Sequence, residues 1–274
     1  MNPPARGCNR PPIYKLQVTA TRPKMNDPVT AHYENHLGPV YRWMLGDIAA
    51  AFAASDAELE TLGLPAKATG YAVDLGAGLG LHAVPLAARG YSVIAVDGYE
   101  PFLAQLRSRA GALPIQTVQG DLGSFLAHID LHADVIVCMG DTLTHLPSAA
   151  AVEALLADVA SHLADGGLFA ATFRDYSTEL RGNDRFIAVR SDEQRTLTCF
   201  LEYGVSTVTA HDLLHERDGE RWRLRVSSYP KLRLSPDWVV QTLRSLGLEV
   251  RLDHRPGKMP LVTAKKAAGS ATTA

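Results

Sequence analysis

Asp74-Leu75-Gly76-Ala77-Gly78-Leu79-Gly80 sets one carboxylate beside three closely spaced glycines. Glycine takes tight turns without steric penalty and lets backbone N–H groups come close to a ligand. The apolar run Tyr71-Ala72-Val73 precedes this stretch and a helix-like segment, Leu81 to Arg89, follows it. Strand, glycine turn and helix in that order form a nucleotide-binding corner. The dinucleotide fingerprint G-x-G-x-x-G puts its third glycine five residues after its first. Here the third glycine comes after four, and Leu81 stands at the fingerprint's last position. An acid two positions ahead of the first glycine suits a ligand with an ammonium group to pair and no pyrophosphate to cradle, and S-adenosylmethionine is such a ligand. Asp74 is read as the partner of that ammonium, directly or through water; the plainer reading is a buried acid holding the turn's own amides. Asp97, about 20 residues beyond the turn at the end of the next apolar run, can accept both ribose hydroxyls, or simply open a helix.

The elements that must position these residues alternate regularly. Apolar β-type runs lie at 71–75, 92–97, 115–118, 134–139 and 168–173, with helix-like stretches at 80–89, 100–110, 122–129 and 148–164 between them. That alternation marks a doubly wound parallel sheet. After Phe173 the pattern changes: 184–191, 194–204, 206–216 and 221–233 read as four strands, with a turn at Asp218-Gly219, and suggest an inserted antiparallel meander. A helix from Pro236 to Leu246, with Ser235 as N-cap, and two strands at 248–254 and 260–265 complete the core. Ahead of the core, Tyr33, Leu37, Val40, Tyr41, Met44, Leu45, Ile48 and Phe52 recur at helical spacing behind the N-cap and N1 pair Asp27-Pro28. The expected organisation is a flexible tail (1–26), an N-terminal helical lid (27–67), a cofactor-binding core (68–174), a β-rich insertion covering the substrate (175–234), the C-terminal helix and last two strands (235–266), and a disordered tail (267–274).

Composition narrows the class. A length of 274 residues, a formal net charge of -2 and 20% charged residues describe an ordinary soluble α/β globule, with the cytoplasm as default location. No basic stripe argues for nucleic acid, and no apolar run is long enough to span a membrane. The three cysteines, Cys8, Cys138 and Cys199, form no C-x-x-C pair. Cys138 lies in an apolar strand and reads as core. His211 and His215 are four apart in strand-like sequence, on one face but two rungs apart, so no metal is assigned.

Five segments resemble class I S-adenosylmethionine-dependent methyltransferases, in the right order over roughly residues 70–175. They are the glycine turn, Val93-Ile94-Ala95-Val96-Asp97, Val118-Gln119-Gly120-Asp121-Leu122, Asp134 to Asp141, and Gly166-Gly167-Leu168-Phe169. The resemblance implies a Rossmann-like, mostly parallel seven-stranded sheet with the meander inserted after strand five. It implies a cofactor site made of Asp74, Gly76, Ala77, Gly78, Gly80, Asp97, Gly98, Asp121, Leu122, Met139 and Gly140, with Asp121 or the Leu122 amide at the adenine amino edge. A narrower resemblance is to the glycine/sarcosine N-methyltransferase group. Gly140-Asp141-Thr142-Leu143-Thr144-His145-Leu146 is similar to that group's G-N-S-F-A-H-L loop, and Phe173-Arg174-Asp175-Tyr176 to its H-R-N-Y segment. Tyr41 to Gly46 is similar to its Trp-containing helix. The loop Asn is Asp141 here and the His before the Arg is Phe173, so the likeness in architecture does not carry over to glycine as acceptor.

Methyl transfer from a sulfonium needs in-line approach and a nucleophile in its reactive protonation state. His145 is the candidate to contact the cofactor, close the site or remove a proton, the alternative being a plain loop histidine. Asp141 can orient an amine or fix the cofactor's amino group. Arg174 ends strand five on the open side of the sheet, where its guanidinium can take a carboxylate bidentately; the alternative is an ion pair with Asp175, Glu179 or Asp184. Tyr176 joins it as a substrate residue, and Tyr33 and Trp43 reach the cofactor as parts of the lid or pack as core. The function expected is methylation of a small-molecule amine or amino acid bearing a carboxylate, with oxygen or sulfur acceptors as the alternative and a homo-oligomer compatible with it. A nicotinamide-dependent oxidoreductase and a non-catalytic cofactor-binding protein are the remote readings.

Overall fold

The structure, a computed structural model, describes residues 27–65, 68–125 and 132–268. The expectations for segments 1–26, 66–67, 126–131 and 269–274 fall outside the described residues.

β1 (Tyr71–Leu75), β2 (Ser92–Asp97), β3 (Ile115–Gln119), β4 (Ala133–Cys138) and β5 (Leu163–Thr172) are the five expected strands, joined at one edge by β10 (Glu249–Asp253) and β11 (Leu261–Lys265). The sheet order is β10-β11-β5-β4-β1-β2-β3. All pairs are parallel except β5 with β11 and β11 with β10. Strands buried on both faces read as near-continuous apolar runs, as β2 and β4 do. Along β1 the faces alternate: Val73 and Leu75 pack on one side with α7 (Ala149–His162) and α8 (Pro236–Ser245), while Ala72 packs on the other. That second face is covered by α3 (Ile48–Thr61), α4 (Ala83–Ala88) and α5 (Glu100–Ala110), through Leu59, Leu86 and Leu106. α6 (Leu122–Phe125) follows β3. β5 begins five residues earlier than expected, and its register against β4 shifts around Gly166-Gly167. A Cβ on Gly167 would stand 2.7 Å from the Ala164 carbonyl oxygen, so only glycine fits there.

The insertion is a separate antiparallel sheet in the order β6-β7-β8-β9, comprising β6 (Phe186–Ser191), β7 (Arg195–Tyr203), β8 (Thr207–Asp218) and β9 (Arg221–Leu232). Asp218 pairs with Arg221, so the hairpin's two central residues are Gly219-Glu220, one place beyond the expected turn.

The N-terminal periodicity does not make one helix. α1 (Pro28–His32) passes into a π turn (Tyr33–Leu37) and a 3-10 turn (Gly38–Val40) before α2 (Tyr41–Leu45), and α3 begins afresh at Ile48. Pro39 lacks the N–H that would continue the ladder. Gly46 takes a left-handed φ of 81°, and Asp47 then caps α3 by accepting the Ala49 and Ala50 amides at 2.9 and 3.2 Å. Apolar spacing reports the buried face but not these breaks, which let the segment wrap from α3 onto the inserted sheet.

Candidate active site

Doubly wound sheets bind ligands beyond the carboxyl ends of their strands, where the strand order reverses; here that is the gap between β1 and β4. Asp74 sits in β1, and the turn after it is tied to β2. The Gly76 and Ala77 amides donate to the Val96 carbonyl at 2.9 Å each, and the Gly78 amide donates to Asp97 Oδ2 at 2.8 Å. The carboxylate that holds the turn is thus Asp97, which also accepts the Tyr99 amide on Oδ1 at 2.8 Å. Gly76 has a left-handed φ of 79°, and a Cβ there would collide with the Thr142 side chain at 2.5 Å. The first glycine therefore seats the turn under the loop after β4. Gly78, Gly98 and Gly140 instead face open space.

Asp74 is buried. The Ala83 amide reaches one side of its carboxylate, and Oδ2 has no hydrogen-bond partner. Burial, opposed by His82 and the Ala83 amide, pushes its carboxyl up to about 6. An unanswered buried carboxylate is costly unless a ligand completes it. Together with the open glycines, it fits a nucleotide-type ligand carrying an ammonium group. Burial also raises the Asp97 carboxyl, against the Tyr99 and Gly78 amides.

Asp121 is exposed and accepts the Gly123 amide at 2.9 Å, closing the turn that opens α6, and the neighbouring Leu122 packs on the core. Met139 is buried against the β1 and β2 side of the sheet. Gly140 donates its amide to Thr172 Oγ1 at 2.8 Å.

Asp141 is the pivot of the loop after β4. Its φ of 78° is left-handed, a conformation that aspartate tolerates better than most residues. Oδ1 accepts the Arg174 amide at 2.9 Å and the Thr144 hydroxyl at 3.0 Å, while Oδ2 meets the Lys231 ammonium from β9. Burial alone would raise this carboxyl; Lys231, His145 and the Arg174 amide outweigh it and hold it below the usual range. Both oxygens are therefore engaged by the protein, and Asp141 anchors β5, β9 and its own loop to one another. The Arg174 guanidinium is half-exposed, its Nε 3.8 Å from Asp141 Oδ2. Asp141 takes the place of the three partners expected for it; of those, Glu179 pairs with Arg233.

His145 is partly buried, its ring parallel to Tyr229 at 5.7 Å and edge-on to Tyr33 at 5.8 Å. Burial and Lys231 lower its imidazole to about 3, and Nδ1 has no partner. A neutral imidazole there can hydrogen-bond through the free Nδ1. Tyr176 is buried against Leu201, Val208, Ala210 and Tyr229.

These groups line a cavity of about 150 Å³ between the carboxyl edge of the large sheet and the inner face of the inserted one. Tyr33, Asp141, His145, Arg174 and Tyr176 come together in its walls as expected residues, joined by Asp212, Tyr229 and Lys231, which sequence reading did not single out. Behind Tyr229 stand His32, stacked on it at 3.9 Å, and His36, whose buried imidazole is lowered by desolvation. One available signal was the charged Asp212 among the inward-facing positions of β8. A larger cavity of about 370 Å³ between α3 and α5 is lined by Arg42, Ile48, Leu79, Gln105, Ser108 and Arg109. It lacks the buried titratable cluster that lines the smaller one.

Trp43 is not brought to the glycine turn. Its indole N–H donates to Asp192, the Arg190 and Arg195 guanidinium groups lie 5.8 Å from its ring centre, and it packs with Leu37, Val40, Leu197 and Leu214. It fastens the N-terminal segment to the inserted sheet. Among the described residues no group of three or more His, Cys, Asp or Glu is placed to hold a metal ion, and no helix is long and apolar enough to cross a membrane.

A search of the curated proteins finds no match for this chain. Among solved structures it is similar to a S-adenosylmethionine-dependent methyltransferase from Clostridium acetobutylicum, with TM-score 0.66 and 16% identity over 86% of this chain and 99% of that one. It is similar to an amino pentose methyltransferase from Micromonospora echinaspora involved in calicheamicin biosynthesis, solved with S-adenosylmethionine bound (TM-score 0.65, 18% identity, 84% and 96% covered). It is also similar to a sugar N-methyltransferase from a Streptoalloteichus species (TM-score 0.64, 17% identity, 84% and 92% covered). At these identities the likeness is one of fold. The sequence profile of the methyltransferase domain matches residues 72–167, from β1 into β5. That span carries Asp74, Asp97 and the Asp141 loop: the chain holds a methyltransferase domain and is a S-adenosylmethionine-dependent methyltransferase.

Proposed function

We propose that the enzyme methylates the nitrogen of a small amine that also carries a carboxylate. The observation that carries this reading is the half-exposed Arg174 guanidinium at the wall of the cavity, engaged with Asp141 only through Nε at 3.8 Å. The similar loops of the glycine/sarcosine N-methyltransferase group, and the amino-sugar and sugar nitrogen acceptors named for two structural neighbours, support nitrogen. S-adenosylmethionine, when bound, supplies a sulfonium methyl group open to in-line attack. Asp74 would hold its ammonium, Asp97 its ribose hydroxyls, and Asp121 with Leu122 its adenine edge. The neutral His145 imidazole orients an acceptor by hydrogen bonding, while Tyr33, Tyr176 and Tyr229 keep water from the cavity.

A screen of amines, amino acids, phenols and thiols, read by S-adenosylhomocysteine release, tests the acceptor class; turnover confined to phenols or thiols would sink it. Arg174→Ala is expected to raise the KM of a carboxylate-bearing acceptor by roughly 10- to 100-fold with little change in kcat, the loss of a charge-assisted hydrogen-bond pair. An unchanged KM would remove the carboxylate clamp.

The Asp74 assignment has a pH signature. A cationic partner favours the ionised carboxylate, so below about pH 6 cofactor binding must expel a proton. S-adenosylhomocysteine affinity measured by calorimetry should therefore fall about tenfold per unit as pH drops below that value, and Asp74→Asn should abolish the slope. In the free protein the sign is opposite: the raised carboxyl favours folding at low pH, a contribution lost as pH rises through about 6.

A further inference from the structure

The inward-facing positions of β8 are Val208, Ala210, Asp212 and Leu214, so a carboxylate occupies a place where the strand pattern calls for an apolar side chain. Its side chain is 7% exposed and lines the cavity. Its contacts come from β7 and from the N-terminal segment, and together with Lys231 they hold its carboxyl below the usual range despite burial. His32 Nε2 lies 3.2 Å from Oδ2, and the thiol of Cys199, its register partner on β7, hydrogen-bonds to it. Ser227 Oγ lies 2.9 Å from His32 Nδ1. The other cavity carboxylate, Asp141, has the Lys231 ammonium against it and Arg174 nearby. Among the described residues no Lys or Arg forms an ion pair with Asp212, Lys231 acting on it only from a distance; burying an anion is costly, and a cationic ligand offsets that cost.

We infer that Asp212 receives the amino group of the acceptor, which makes the cavity two-ended: Asp212 for a cation and Arg174 for an anion. The acceptor class is then a small zwitterion, an amine and an acidic group on one compact frame. This rests on the nitrogen reading above and deepens it. Asp212 recruits the amine in the charged form in which it arrives at neutral pH. The proton lost before methylation passes to solvent, and the neutral amine keeps an N–H hydrogen bond to the same carboxylate. Tyr33, Tyr176 and Tyr229 supply the walls between the two ends, and aromatic faces tolerate an ammonium well. Tyr229 is held in place by its stack on His32, so the N-terminal segment contributes to the site through a histidine that does not itself line it.

The test uses the full chain and a series of ω-amino acids from glycine to aminohexanoate. Hydroxybenzoate and mercaptopropionate serve as acceptors that keep the carboxylate and lack the amine. Asp212→Asn keeps the size of the side chain but removes its charge. It is expected to raise the KM of any methylated amino acid roughly 30-fold or more, with kcat changed less than about threefold. S-adenosylhomocysteine affinity should stay within about twofold, since the cofactor half of the site is untouched. Asp212→Glu, which keeps the charge, should recover at least about half of the lost binding on a logarithmic scale. That recovery separates a charge role from a merely structural one, and it stands as the deciding measurement if the Asn variant folds poorly. An amino acid methylated with an unchanged KM in Asp212→Asn overturns this inference and leaves the nitrogen reading intact. Methylation of only hydroxybenzoate or mercaptopropionate overturns both.

Discussion

Asp97→Ala is expected to weaken S-adenosylhomocysteine binding by a factor on the order of 10² to 10⁴, the loss of two charge-assisted hydrogen bonds worth about 1.5–3 kcal/mol each. Its placement supports so large an effect. The carboxylate ends β2 with one oxygen committed to the Gly78 amide and the other to the Tyr99 amide, and an ionised carboxylate still has lone pairs free for two ribose hydroxyls. The substitution also unties the glycine turn from β2 at Gly78, which adds disorder where the ligand binds. The core beneath, with Val73, Leu75, Ile94 and Val96 buried, does not depend on it. Circular dichroism should therefore show a folded protein while calorimetry shows little binding. Near-normal affinity would take Asp97 out of the site.

Lys231→Met should be the most destabilising single change at the cavity. The Lys231 and Asp141 side chains are 9% and 7% exposed. Removing the cation leaves a buried carboxylate without its counter-charge, at a cost of about 3–5 kcal/mol. At about 2–4 °C per kcal/mol for a chain of this size, the melting temperature should drop by about 6–20 °C. Asp141→Asn combined with Lys231→Met should be more stable than Lys231→Met alone, because asparagine tolerates the left-handed backbone and carries no charge to strand. Acid behaviour gives a second readout. A carboxyl held below its usual value contributes stability that is present above the unfolded value of about 3.9 and lost as pH falls through the folded one. That acid-side loss should disappear in Lys231→Met. A melting temperature within a degree or two of the parent would mean that the pair does not hold the loop.

The two variants probe parts of the protein that were unequally visible in the amino-acid order. Asp97 follows from local features: a glycine turn, one strand further, and an acid at its end. The apolar runs of β1 to β5 were legible for the same reason, since a parallel strand buried on both faces carries its burial in its own composition. The breaks at Gly38-Pro39 and Gly46-Asp47 were written in residues of known behaviour, but the apolar periodicity across them was strong enough to read as one helix. Arg174 was legible as a residue at a strand end, yet its pairing with Asp141 rather than Asp175, Glu179 or Asp184 was not. Trp43 was legible as a face-forming aromatic, and only its contacts with Asp192 and Leu197 show which surface that face meets.

The amino-acid order by itself determined the cofactor and the sheet that binds it, because those depend on spacings of a few residues and on alternation within single strands. The tertiary structure alone decided the composition of the cavity. Lys231 reaches Asp141 across 90 positions of chain, and His32 and Asp212 come from opposite sides of the core sequence. A period of two tells which face of β8 and β9 is turned inward but not what lies opposite. The charges that face one another there are set by how the inserted sheet and the broken N-terminal helix fold back over the carboxyl ends of the central strands.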